Sequence, residues 1–152
     1  ASRRARTKLR QIEEAARPVA ELPVEAMSAD DRARAITLLH RAEALRGLDE
    51  GIRRFGPLVT LELPAIDLEL KSKNYDAALT RLEAVAAQSP RQETWLARRG
   101  EILTQAGRPA EARLAFQEAI EAVESLPSGR RWTPATVKLE ARVRTALRGV
   151  AQ

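Results

Sequence analysis

Displaced by 34 residues, this chain falls on itself. Leu61 meets Trp95, Leu68 meets Ile102, Ala78 meets Ala112, Leu82 meets Phe116 and Val85 meets Ala119. Apolar side chains stay on apolar side chains throughout, and only the turn pair Tyr75 and Pro109 departs. A period of that length is one helix–turn–helix unit used twice. One such hairpin cannot bury its apolar face alone, so the register predicts hairpins stacked side by side.

The local signals agree with helices everywhere, and strand alternation is almost absent. Residues 2–16 carry Leu9, Ile12 and Ala16 on one helical face, and Pro18 bounds them. Ser28 and Asp31 form a capping box for a helix from Ala29 to Arg46, striped by Ile36, Leu39 and Leu45. Gly47 predicts a break, followed by a short helix from Asp49 to Phe55 that stops at Gly56-Pro57. Beyond it the expected helices are Val59–Lys71, Tyr75–Gln88, Glu93–Ala106 and Pro109–Glu124, with Pro64 in the early turns of the first. Leu126-Pro127-Ser128-Gly129 reads as a loop, and Thr133-Pro134 caps a last helix to about Arg148, striped by Leu139, Val143 and Leu147.

Gly100, Leu103, Gly107, Ala112, Phe116 and Ala119 follow a rhythm of small and large residues that resembles the tetratricopeptide repeat. The earlier copy, Tyr75-Asp76-Ala77-Ala78 through Leu82 to Pro90, resembles the second helix of such a repeat and its closing proline, although Ile66 stands where a small residue is usual. Gly100 and Ala112 let two antiparallel helices approach, while Leu103 and Phe116 fill the space between them. The resemblance implies an all-α, right-handed superhelical array of antiparallel helix hairpins. One helical domain over 1–152 is expected, with an N-terminal degenerate or capping hairpin in 1–56, repeats at 58–90 and 92–126, and a C-terminal capping helix at 133–149.

Composition narrows the chemistry. The chain has no cysteine, which excludes disulfides, iron–sulfur clusters and thiol nucleophiles. His40 is the single histidine, so a zinc site or a serine triad is hard to assemble, and no cofactor or metal is expected. The paired acids Glu13-Glu14, Asp30-Asp31 and Glu118 with Glu121 sit in charge-rich helical contexts that account for them without acid–base chemistry. No apolar run is long enough to span a membrane. Trp95 and Phe116 read as core side chains, whereas Trp132 among Arg130 and Arg131 either packs under the last helix or anchors a partner.

The net charge of +5 is concentrated at the start, in Arg3, Arg4, Arg6, Lys8 and Arg10, and the remainder carries 21 basic and 21 acidic residues. The twin arginines are followed by charged residues rather than an apolar stretch, so no signal peptide is expected in this chain, and cytoplasm and periplasm both stay open. This basic arm is the basis of an alternative reading, binding of nucleic acid or an anionic surface. Self-assembly is a further one.

The leading expectation is a non-enzymatic scaffold or adaptor that holds a peptide or helix of a protein partner. The resemblance implies a groove lined by the first helices of the repeats, here Leu63, Asp67, Leu70 and Lys71 from one and Thr94, Arg98, Glu101 and Gln105 from the next, with Thr60 and Ala97 beside them. The members of the family that clamp a terminal carboxylate use lysine and asparagine on this face. Leu63, Asp67, Ala97 and Glu101 stand there instead, so that clamp is not expected. Asp67 and Glu101 at matching positions predict a mildly acidic groove with an apolar patch at Leu63 and Leu70.

Overall fold

A computed structural model describes residues 28–150. The basic arm, the helix expected over 2–16 and the pair Glu13-Glu14 lie outside them. Seven helices make up the described residues, and no strand is found among them. They are α1 (Ala29–Phe55), α2 (Val59–Lys71), α3 (Tyr75–Ala86), α4 (Gln92–Gln105), α5 (Pro109–Glu124), α6 (Ser128–Arg131) and α7 (Pro134–Val150). The all-α class and the helical-hairpin array expected from the period are what the chain adopts. The described residues divide into two compact units, one ending at Ala44 and the other beginning at Leu45.

The expected hairpin in residues 29–55 is instead one uninterrupted helix of 27 residues. Its start follows the capping box: Ser28 Oγ accepts from the Asp31 amide at 3.1 Å and donates to the Asp31 carboxylate at 2.7 Å. Gly47 does not break it, since a helical glycine costs only about 1 kcal/mol relative to alanine. Gly51 has a packing role: a Cβ there would lie 3.3 Å from Leu61 Cδ1, so glycine lets the α1 backbone approach α2. The stop comes at Gly56, at φ +83°, whose amide bonds the Ile52 carbonyl before Pro57. Ile36 and Leu39 of the expected stripe are exposed, and no residue of α1 is fully buried.

In the second unit α2 and α3 form one hairpin, α4 and α5 another, and α7 lies against α4 and α5. Pro64 sits inside α2 without ending it. A proline there removes the hydrogen bond to Thr60, and both residues are solvent-exposed, where that loss costs least. The two hairpin turns are superposable bond by bond. Asn74 N–H donates to the Glu69 carbonyl at 2.8 Å, and Arg108 N–H to the Leu103 carbonyl at 2.9 Å. Ser72 reaches Leu68 as Ala106 reaches Ile102, and Lys73 reaches Leu70 as Gly107 reaches Thr104. The left-handed residue is Gly107 in one turn, at φ +70°, and Lys73 in the other, at φ +57°. Ala78 and Ala112 are each the fourth residue of their helix, fully buried, and bonded at 3.0 Å to the carbonyl four residues back.

The core runs through these helices as one cluster: Ile66, Ala78 and Leu82 from the first hairpin, Leu103, Ala112, Phe116 and Ala119 from the second, Leu139 and Val143 from α7. Leu147, the third member of the α7 stripe, packs against it half-buried. The expected Thr133 cap is present, its Oγ1 accepting from the Thr136 amide at 3.3 Å. Where a loop was expected after Leu126, the chain makes the single turn α6, because the amides of Arg130 and Arg131 both find the Pro127 carbonyl.

Candidate partner-binding face

The first helices of the two hairpins, α2 and α4, and the helix α7 beside them are joined by a chain of ion pairs. Asp67 on α2 accepts from Arg98 Nη2 at 3.1 Å, and Arg98 Nη1 reaches Glu101 one turn on at 3.3 Å. Glu101 in turn lies 3.2 Å from Arg142 Nε on α7. The mildly acidic groove expected from Asp67 and Glu101 is therefore corrected: two arginines interleave with the two carboxylates and balance them. Arg142 comes from α7, outside the matched hairpins, so the 34-residue register had no place for it. Each link is at least partly exposed and contributes about 1 kcal/mol or less, so the chain of pairs sets the side-chain arrangement more than it holds the fold.

The other expected face residues divide. Leu63, one turn before Asp67, is 37% exposed, with Thr60, Lys71 and Gln105 also exposed. Leu70 is half-buried against the core cluster, Thr94 is half-buried, and Ala97 is completely buried within that cluster. The apolar patch expected from Leu63 and Leu70 thus reduces to Leu63, because Leu70 is committed to packing.

The structure also assembles a polar cluster that sequence reasoning missed. Arg81 on α3 donates to Asp49 of α1 at 2.7 Å and lies 3.5 Å from both Glu62 and Glu69 of α2. Both glutamates are buried, and Asn74 Nδ2 donates to Glu69 at 3.0 Å. Burial disfavours the Arg81 charge, but the bond to Asp49 and the neighbouring carboxylates outweigh it and raise its pKa. The signal was available: Glu62 and Glu69 stand at i−4 and i+3 from Ile66, on the stripe that α2 buries. Glu93, another buried acid, is held by Arg91 Nε at 3.0 Å.

Phe116 is a core side chain, as expected, and Trp95 packs half-buried against the same cluster. Trp132 does not pack under α7: it is 67% exposed, with the Arg131 guanidinium 5.3 Å from its ring centre. His40 is exposed on α1. Asp31 is spent in the capping box, and Glu118 lies 3.7 Å from Arg99. No described helix is long and apolar enough to cross a membrane.

Neither the curated proteins nor the solved structures contain a match to the chain. The family model described as tetratricopeptide repeat matches residues 63–127, a span that runs from the middle of α2 to the residue before α6. Residues 63–127 are thus similar to the tetratricopeptide repeat, and the paired turns and the matched alanines agree with that likeness.

Proposed function

We propose that the chain is a non-enzymatic scaffold whose α2–α4–α7 face holds a helix or extended peptide of a protein partner. Tetratricopeptide repeats are in general protein-interaction modules, which supports the coarse reading. The observation that carries the finer one is the exposed Leu63 beside a balanced chain of side chains, Asp67, Arg98, Glu101 and Arg142. Such a surface offers one apolar anchor and charges of both signs whose mutual bonds a partner exchanges for its own at little cost.

A photo-crosslinking side chain at position 63 tests this, with the same group at Leu114, on the solvent side of α5, as the control. Adducts with one protein from position 63, lost when Arg98→Ala is added, are the expected result. Equal labelling from position 114, or none from position 63, contradicts it. Leu70 is unsuitable as a probe position because its removal damages the core.

A further inference from the structure

The segment formed by α6 and α7 has a charge pattern unlike the rest of the described residues. Residues 128–150 hold six basic side chains, Arg130, Arg131, Lys138, Arg142, Arg144 and Arg148, against one acid, Glu140. That acid is already taken by Arg144, which also reaches Glu124. Arg142 is engaged with Glu101, and Arg131 donates to the Glu124 carbonyl at 3.0 Å. Arg130, Lys138 and Arg148 are exposed and pair with no carboxylate among the described residues.

Two apolar side chains lie in the same stretch of surface. Trp132 is exposed at the start of α7, and Val137 is exposed on its first turns. The buried side of α7 is Thr136, Leu139 and Val143, so helical geometry puts Val137, Lys138 and Arg148 together on the opposite side. An exposed helix face needs polar side chains for solubility, and mixed charge supplies that. A face of one sign, with an indole standing in solvent beside it, goes further than solubility requires. Tryptophan and arginine are the side chains that most often dominate protein interfaces.

We infer that the outer face of α6 and α7 is a second docking surface, one that takes an acidic amphipathic helix of a protein partner. Charge complementarity selects the acidic side of that helix for Arg130, Lys138 and Arg148. Its apolar side chains cover Trp132 and Val137. Lys138 and Arg148 are separated by about 15 Å along α7, so the charge contacts require a partner helix of at least three turns. An unstructured polyanion would meet the cations without needing the indole, so the exposed ring favours the protein helix over nucleic acid. This surface is separate from Leu63, and its test does not depend on the face proposed above.

The test uses the full chain and a synthetic peptide of roughly five helical turns with glutamates on one side and leucines on the other. A peptide of the same composition in scrambled order and a single-stranded oligothymidine serve as competitors. The amphipathic peptide is expected to shift tryptophan emission to the blue, and Trp132→Ala to abolish that shift. The combined change Arg130→Ser, Lys138→Ser and Arg148→Ser is expected to weaken binding at least about tenfold. These exposed side chains lie outside the core, so the thermal midpoint of the triple variant is expected to stay put. Serine at Arg3, Arg4 and Arg6, or Leu63→Asp with Arg98→Ala, is expected to leave this binding unchanged. Equal binding by the triple variant overturns the inference, as does equal competition from the scrambled peptide or the oligothymidine.

Discussion

The ring of Phe116 occupies the space where a side chain on residue 100 would begin: an ideal Cβ on Gly100 would stand 2.4 Å from Phe116 Cε1. Helices α4 and α5 therefore meet at a distance that glycine alone permits. Gly100→Ala is predicted to destabilise the chain by about 1–3 kcal/mol through overpacking, seen as a fall of several degrees in the calorimetric midpoint. Phe116→Leu in the same molecule should recover part of the loss, whereas Phe116→Leu alone should destabilise.

The two repeat turns share their hydrogen bonds but not the residue at the left-handed position. Lys73 holds φ +57° where its counterpart Gly107 holds φ +70°. A side chain in that region costs roughly 1–2 kcal/mol, less the entropy that glycine loses on folding. Lys73→Gly is accordingly predicted to stabilise by about 0.5–1 kcal/mol, and Gly107→Ala to destabilise by a similar amount. Urea midpoints of the two variants, compared at unchanged slope, check both signs.

Arg81 pairs with Asp49, Glu62 and Glu69 in their cluster. Arg81→Met should cost about 3 kcal/mol, because it strands two buried carboxylates. Adding Glu62→Gln and Glu69→Gln to Arg81→Met should restore much of that stability, since the buried groups then carry no charge. Denaturant unfolding of the single and triple variants tests this.

Glu111 accepts a hydrogen bond from Arg108 and sits in the field of Arg108 and Arg99, which together hold its carboxyl below the usual range. A carboxyl that is more acidic folded than unfolded favours the folded state above the ordinary carboxylate pKa of about 4.3, and that contribution fades as pH falls further. Glu111→Gln is predicted to lower stability at neutral pH slightly while flattening the acid limb below about pH 4. A series of thermal midpoints from pH 2 to pH 7 reads it out.

Most of the repeat was legible in the residues because its signals are local or periodic. Pro109 and Thr133-Pro134 mark helix starts, Gly107 a turn, and the spacing of Ala112, Phe116 and Ala119 a packed face. What escaped was decided between elements. Gly47 looks like a break, but its cost is too small to end a helix that runs on to Phe55. Leu70 looks like part of a groove, but its turn of helix faces the core. Arg142 belongs to no repeat, and its reach to Glu101 needs the placement of α7, which no periodicity in the chain encodes. The charge balance around Asp67 and Glu101 was therefore misjudged.

The central claim is that one hairpin is built twice, 34 residues apart. Scalar couplings across hydrogen bonds in NMR spectra of the isotope-labelled protein measure this directly. The account predicts couplings from the Asn74 amide to the Glu69 carbonyl and from the Arg108 amide to the Leu103 carbonyl, with a second matched pair from Ala78 to Asn74 and Ala112 to Arg108. Finding either member of a pair bonded elsewhere, while the other keeps its partner, would contradict it.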